Sequence, residues 1–408
     1  MEMKLKKIIT RLAILYLIEK ISFNAIKLWY FNRKESRERV LIYVAPSDFN
    51  SVNGNEIVPD KVQHLFHLLE KMSFAPMYLM RYTYSAAEYL PIKKLFKSTK
   101  ILQVTLRLSN LFAIVVKTFI ERNAFKVARK DNHTVLSQFA ESSLRRAIEE
   151  FNPRFILTIG ATQELMTICH LLEINVIEVM HGIIDEEEIT RIWGDPSMRK
   201  PNLILTWHDY YTAMVEKLNI RAISLGYPSM AHERVKNQDL KQIRILVSLG
   251  YGETQSEDPS GTLSKSLFNQ IKLLESKNTK FVFRIHPVIA SKAKMNKELI
   301  SWLDQTFEYP EIHSPRFTTL FKSLESTDIH LTKYSSTYFE AALLGIPTIF
   351  TDDLFKLFLP KEVVDSQLAV QGGFLKENEL STIVSVSHKS PFEFMNDEKF
   401  CKIIAEIE

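Results

Sequence analysis

Phe281-Val282-Phe283-Arg284-Ile285-His286-Pro287 and, further on, His330-Leu331-Thr332-Lys333-Tyr334-Ser335-Ser336-Thr337-Tyr338-Phe339-Glu340 decide how this chain is read. Each begins as an apolar run of strand length and stops at small or polar residues. The second continues through Ala341-Ala342-Leu343-Leu344 to Gly345-Ile346-Pro347, which stops a helix and feeds the apolar run Thr348-Ile349-Phe350. Short apolar runs bounded by such breaks read as strands buried on both faces, as in a parallel sheet. In an open parallel sheet, ligands bind at the carboxyl ends of the strands, where a following helix offers backbone N–H groups to an anion. A His-Pro at one strand end and a Ser-Ser-Thr at another point to a pocket for a phosphate-bearing ligand.

Around these runs the same cadence repeats. Ile243–Gly250 reads as a strand, followed by the polar loop Tyr251–Gly261, a helix over 262–276, a strand at Lys280–Ile285 and a helix over 295–305. A strand at Asp328–Leu331, a helix over 335–344 and a strand at Thr348–Phe350 follow. The first half has the same character, with strands at Arg39–Ala45, Pro76–Met80, Phe155–Ile159, Val176–Met180 and Leu203–Thr206, and helices from Val58 to Met72 and over 86–130, 134–151, Thr162–Leu172 and Tyr210–Leu218. Alternation of this kind predicts an α/β protein of two doubly wound, Rossmann-like domains facing across a cleft. The expected division is a basic amphipathic helix over 1–38, a first Rossmann-like domain over 39–230, a second over 240–390 and a helix over 391–408, with Leu225-Gly226-Tyr227-Pro228 near the boundary. A chain of 408 residues is long enough for two cores.

The 46% hydrophobic and 25% charged composition is that of a globular protein and excludes a low-complexity or fibrous one. Cys169 and Cys401 are too few for a disulfide framework and match no metal spacing. Basic charge is concentrated: residues 1–40 hold ten Lys/Arg against four Asp/Glu, and residues 93–130 hold ten against Glu121 alone. Both segments are rich in Leu, Ile and aromatics, and neither reaches the ~18 apolar residues needed to span a bilayer. Nor does the N-terminus carry a small-residue cleavage site, so no signal peptide is expected. Helical spacing favours an anionic membrane surface as partner, with ordinary packed helices as the alternative; no nucleic acid is expected, because its groove needs no continuous apolar stripe.

His286 at a strand end can donate to a phosphate oxygen while Pro287 fixes the departing backbone. Arg284, two residues back, falls on the same strand face. Ser335, Ser336 and Thr337 can cap the following helix and grip an anion, or cap it with no ligand. Glu340, one turn in, can accept from a ribose diol. Gly250 and Gly252 sit in a loop that permits close backbone approach to a phosphate. In the first half, Met180-His181-Gly182 ends a strand, and His181, Asp185 or Glu186 can take a proton from an attacking hydroxyl; the alternative for the acids is a favourable charge at a helix start. Asp48 is a weaker candidate, and His64 and His67, three apart on a helix, read as surface residues. No Asp-x-Asp pair is present, and neither metal nor cofactor is expected.

The second half resembles the nucleotide-binding domain of inverting glycosyltransferases with the two-domain GT-B fold, above all those building bacterial capsule and lipopolysaccharide. His286-Pro287 followed by Ser335-Ser336 is similar to the His-Pro and Ser-Ser motifs with which bacterial sialyltransferases and polysialyltransferases hold a CMP-sugar. The same order resembles the CDP-glycerol transferases of wall teichoic acid synthesis, and Tyr338–Pro347 resembles the wider signature whose glutamate binds ribose. The pattern departs at Lys333, where the teichoic acid polymerases tend to carry Asp, and at Thr332, where retaining enzymes carry the glutamate that partners Glu340. The resemblance implies a metal-independent transferase that uses a nucleotide sugar and a glycan or lipid-linked acceptor, peripheral on the inner face of the cytoplasmic membrane. A polyol-phosphate transferase and a non-catalytic polysaccharide- or nucleotide-binding protein are the alternatives.

Overall fold

Fifteen short strands alternate with helices among the residues that the computed structural model describes: 36–44, 51–53, 56–58, 60–80, 101–103, 144–180, 182, 186–229, 242–253, 255–353, 355–361, 364, 368–373, 375–385 and 390–407. The first lobe holds β1 (Arg39–Val44), β2 (Ser51–Asn53), β3 (Glu56–Val58), β4 (Ala75–Met80), β5 (Ile101–Gln103), β6 (Phe155–Thr158), β7 (Asn175–Val179), β8 (Leu203–Thr206) and β9 (Ala222–Ser224). The second holds β10 (Ile243–Ser248), β11 (Thr279–Arg284), β12 (Glu311–His313), β13 (Ile329–Thr332), β14 (Thr348–Phe350) and β15 (Ala369–Gln371). The helix expected over 1–38 and most of that over 86–130 lie outside the described residues. Within the latter, Ile101–Gln103 is an edge strand rather than helix.

Both sheets are parallel throughout. Their orders are β5-β4-β1-β6-β7-β8-β9 and β12-β11-β10-β13-β14-β15; β2 and β3 form a separate antiparallel hairpin. In each sheet the chain winds outward from its first strand, then returns and winds the other way. The reversal falls between β1 and β6 in the first lobe and between β10 and β13 in the second. Strand order reverses at these points, so connecting loops diverge and leave a crevice at the carboxyl edge.

Apolar runs explain the layers. Val40 to Val44 are all buried, and their alternate side chains enter two clusters, one on each face of the first sheet. One face is closed by the end of the chain. Met395, Phe400, Ile403 and Ile404 of the C-terminal segment pack with Ile42, Phe66 and Phe155. Arg154 Nη2 donates to Ile407 O at 2.6 Å, and Lys399 Nζ to Ser224 O at 2.7 Å. His64 does not behave as a surface residue: its side chain is 11% exposed and pairs with Asp397 at 2.8 Å. The returning chain passes over Gly226, whose φ of 84° is left-handed; a Cβ there would lie 2.7 Å from the carbonyl oxygens of Glu393 and Phe394.

The lobes meet through aromatics. Trp207 and Tyr211, following β8, contact Phe339 at ring-centroid distances of 4.8 and 5.8 Å, and Phe392 lies 4.8 Å from Phe339 on its way back to the first lobe. Burial of this cluster removes several aromatic side chains from water at once, each stabilising by roughly 1.5–3 kcal/mol. Among the described residues no helix is long and apolar enough to cross a membrane.

Candidate functional site

The carboxyl edge of the second sheet is built on a hydrogen-bonded base. His330, fully buried in β13, places Nε2 2.9 Å from Ser248 Oγ of β10 and Nδ1 3.0 Å from Thr348 Oγ1 of β14. Burial drives the imidazole pKa down to about 3, so the ring is neutral and ties three strands together. Thr332 Oγ1 donates to Ser248 O at 3.3 Å, closing the ends of β10 and β13.

From Ser248 the chain enters a loop shaped by a buried carboxylate. Asp258 is 4% exposed and accepts from the N–H groups of Ser260, Thr262 and Leu263 at 2.7–2.8 Å. Gly250 N donates to Thr262 O at 2.9 Å and Glu253 N to Gly261 O at 3.0 Å, so the loop folds back on itself; Gly252 turns it with φ 76°. This geometry carries the Glu253 side chain back over the end of β10, where a Cβ on Gly250 would lie 3.1 Å from its Oε1. Glu253 Oε2 meets Lys333 Nζ at 2.8 Å, with side chains 13% and 27% exposed. Burial opposes the charge on Lys333, but the hydrogen bond and field of Glu253, with Tyr334 and Asp352 adding, hold its pKa above the usual lysine value. An ion pair therefore bridges the strand-order reversal of the second lobe.

Beside it, His286 is the N-cap of the helix Pro287–Ser291, with Pro287 at its first turn. Nδ1 accepts from Val288 N at 3.2 Å, which leaves the neutral ring's proton on Nε2. The ring stacks on Tyr251 with centroids 5.7 Å apart and planes 16° from parallel. Lys292 Nζ lies 5.0 Å above the Tyr251 ring centroid and 3.3 Å from its hydroxyl. Tyr251 is half exposed, so an aromatic face with two basic groups stands next to the ion pair.

The remaining expected residues are placed differently from one another. Arg284 is buried and does not join His286: Nη1 donates to Thr318 O at 2.9 Å and to Ser323 Oγ at 2.8 Å, holding the loop after β12. Strand alternation stops at Arg284, and the helix cap at His286 turns the two side chains apart. Ser335 Oγ accepts from Thr337 N at 3.3 Å and donates to Thr337 Oγ1 at 3.2 Å. Ser336 is the N-cap residue of Thr337–Leu343, yet its backbone is helical and its hydroxyl makes no capping bond. That helix has seven residues, too short for a strong macrodipole. Glu340 is 2% exposed, and its Oε1 accepts from Tyr227 Oη at 2.5 Å, across the interlobe aromatic cluster. Gly250, Gly252, His286, Ser335 and Ser336 thus share one edge, while Arg284 and Glu340 serve contacts behind it.

In the first lobe, His181 and Asp185 lie outside the described residues. Glu186 opens the helix Glu186–Trp193 and is largely exposed, 3.0 Å from Lys217 Nζ. Sequence reasoning passed over Glu178, near the carboxyl end of β7. Burial pushes its carboxyl up to about 8, against the pull of the Ala161 and Gly160 N–H groups, so it is protonated at neutral pH. Its register partner is Thr158, at the end of β6. An acid inside the otherwise apolar Val176-Ile177-Glu178-Val179-Met180 was the available signal. A cavity of about 330 Å³ lined in part by Cys169, His170, Arg199 and Lys200 opens at the amino ends of β7 and β8, away from this edge.

Two parallel sheets with reversing strand order, apposed edges and a C-terminal segment returning to the first lobe define the two-lobed GT-B fold. Solved structures share it. The Methanocaldococcus jannaschii UDP-GlcNAc 2-epimerase in complex with UDP-GlcNAc and UDP superposes with a TM-score of 0.53 at 14% identity, over 90% of this chain and 99% of the other. The S. aureus MnaA–UDP co-structure gives 0.54 at 12%, over 90% and 96%, and TcCGT1 in complex with UDP gives 0.51 at 12%, over 91% and 93%. The chain matches no protein-family model and no curated protein sequence.

Proposed function

We propose that the protein is a glycosyltransferase that moves a sugar from a nucleotide-sugar donor to a surface-polysaccharide or lipid-linked glycan acceptor, inverting the anomeric centre without a metal ion. The observation that carries this reading is the second lobe's carboxyl edge. His286 with Nδ1 engaged by Val288 N, the half-exposed Tyr251 ring stacked on it, and Lys292 and Lys333 lie around one strand-order reversal. His181 or a nearby carboxylate, Asp185 or Glu186, is the group that takes the acceptor's proton; of these, Glu186 is paired with Lys217 at 3.0 Å. His286 and the lysines offset charge on the departing phosphate.

The solved structures of like fold that hold UDP favour a uridine nucleotide, and the sialyltransferase-like motifs a cytidine one. A thermal-shift series with UDP, CDP, CMP and GDP decides between them, because a ligand that binds only the native state raises the melting temperature. Failure of all four to shift the melt defeats the donor assignment. A second reading, a nucleotide-sugar epimerase, is favoured by the fold shared with the Methanocaldococcus jannaschii UDP-GlcNAc 2-epimerase. Product analysis separates the two: an epimerase consumes the donor with no acceptor and releases a nucleotide sugar, whereas a transferase releases free nucleotide.

A further inference from the structure

The Glu253–Lys333 pair stands at the one place in the second sheet where the fold itself opens a crevice. Glu253 follows β10 and Lys333 follows β13, the two strands between which the order reverses. The carboxylate is delivered there by a braced loop, not by a wandering side chain: its backbone is pinned through Gly261, and Asp258 fixes the loop behind it. Gly250 leaves the strand end bare beneath it. The result is a negative group with two oxygens seated above the strand end, paired with a partly exposed ammonium.

The neighbouring helices offer little competing attraction for an anion. Pro287–Ser291 has five residues and Thr337–Leu343 has seven, and Ser336 supplies no capping bond. Arg284, at the end of the neighbouring strand β11, is committed to Thr318 and Ser323. Of the two lysines at this edge, Lys292 sits over Tyr251 and Lys333 follows a strand of the reversal itself, and the present partner of Lys333 has the charge sign of the group it would meet.

We propose that Lys333 is the cation that receives the phosphate of the donor, and that Glu253 is its internal place-holder, displaced when the donor binds. This rests on the reading of this edge as a donor site. Exchange of one carboxylate for a phosphate keeps the half-sheltered ammonium paired throughout, so binding does not require its charge to be left without a partner. It also makes donor affinity lower than the crevice alone would give, because Glu253 must be moved aside.

The full-length chain tests this by calorimetry with inorganic phosphate, inorganic pyrophosphate, UDP, CMP and the nucleosides uridine and cytidine. Glu253→Gln keeps the side chain's size and hydrogen bond to Lys333 but removes the competing charge; it is expected to tighten the phosphate-bearing probes five- to thirtyfold. Lys333→Met is expected to weaken the same probes at least tenfold, and Lys333→Arg to restore most of the loss. Neither Glu253→Gln nor Lys333→Met should change the affinity of a nucleoside that binds. A merely structural pair predicts the opposite pattern: Glu253→Gln lowers the melting temperature and leaves every affinity unchanged or weaker, which overturns the proposal. Nucleotide binding that ignores Lys333→Met overturns it while leaving the donor reading intact. Lys333-dependent pyrophosphate binding with no nucleotide binding does the reverse. If no phosphate-bearing probe binds the wild-type chain, both fall. The double variant Glu253→Gln, Lys333→Met controls for folding, since it removes both charges together.

Discussion

The two lobes repeat one winding, yet their carboxyl edges are electrically unlike. In the second lobe, acid and base form an ion pair at 2.8 Å that is partly open to solvent at the strand-order reversal. In the first, the acid on β7 is buried and neutral, with a carboxyl at about 8. The same topology thus yields one edge that can exchange ionic partners and another that keeps a proton in reserve. Sheet winding decides where a ligand can sit, whereas the side chains of a few strand ends decide what kind of ligand it is.

The sharpest way to break this contrast is at His286. If the second edge grips donor phosphate, His286→Ala should slow turnover with the correct donor by roughly 30- to 1,000-fold, or about 2–4 kcal/mol of barrier, with a melting temperature close to that of the parent. Unchanged turnover would make the two edges functionally alike. The neutral acid gives the next effect. Glu178 has its folded pKa raised from 4.5 to about 8, so the folded state holds its proton where the unfolded state has lost it. The stability it allows is complete below pH 4.5 and falls away as pH rises towards 8. Glu178→Gln removes that dependence. Relative to wild type it should gain stability progressively between pH 5 and 8, by roughly 3 kcal/mol at pH 7, in denaturant melts at each pH. A constant difference across that range would mean the carboxyl titrates normally.

Tyr227→Phe tests what lies between the edges. Loss of the hydroxyl that donates to Glu340 should cost about 2 kcal/mol of stability, read from urea unfolding monitored by Trp fluorescence. The smallest effect is expected at Glu186. It is exposed and paired only with the exposed Lys217, so Glu186→Ala should change stability by no more than about 0.5 kcal/mol. A tenfold loss of turnover in that variant would return Glu186 to the acid–base role and give the first edge an ionised group after all.

How much of this was readable from the chain follows from range and length. The central strands were legible because Val40–Val44, Phe155–Leu157 and Ile245–Val247 are apolar runs with no competing periodicity. Strands such as Ala222–Ser224, Glu311–His313 and Ala369–Gln371 were not, since three residues with a polar end carry no period. His286-Pro287 was visible as a strand stop. The expectation that Arg284 shares its face assumed that alternation continues for two residues beyond the end of β11, and the helix cap ends it. Glu340 reads as a ribose acceptor from its place one turn into a helix, and its partner Tyr227, 113 residues away, has no local signal. Lys333 stood out as a departure from a family pattern, but nothing local announces Glu253. Long-range pairings of this kind are set by the winding of the sheet and leave no trace in local sequence.

The return of the chain end to the first lobe also shapes how the molecule can open. The polypeptide leaves that lobe after Tyr227 and comes back at Glu393–Met395, where the departing and returning segments are bonded to each other through Tyr227 N to Glu393 O and Met395 N to Tyr227 O. A pair of neighbouring tethers behaves as the spine of a book. Swinging about that line is permitted, and sliding or wholesale separation is resisted, so any gape of the crevice is widest at the side farthest from residue 227.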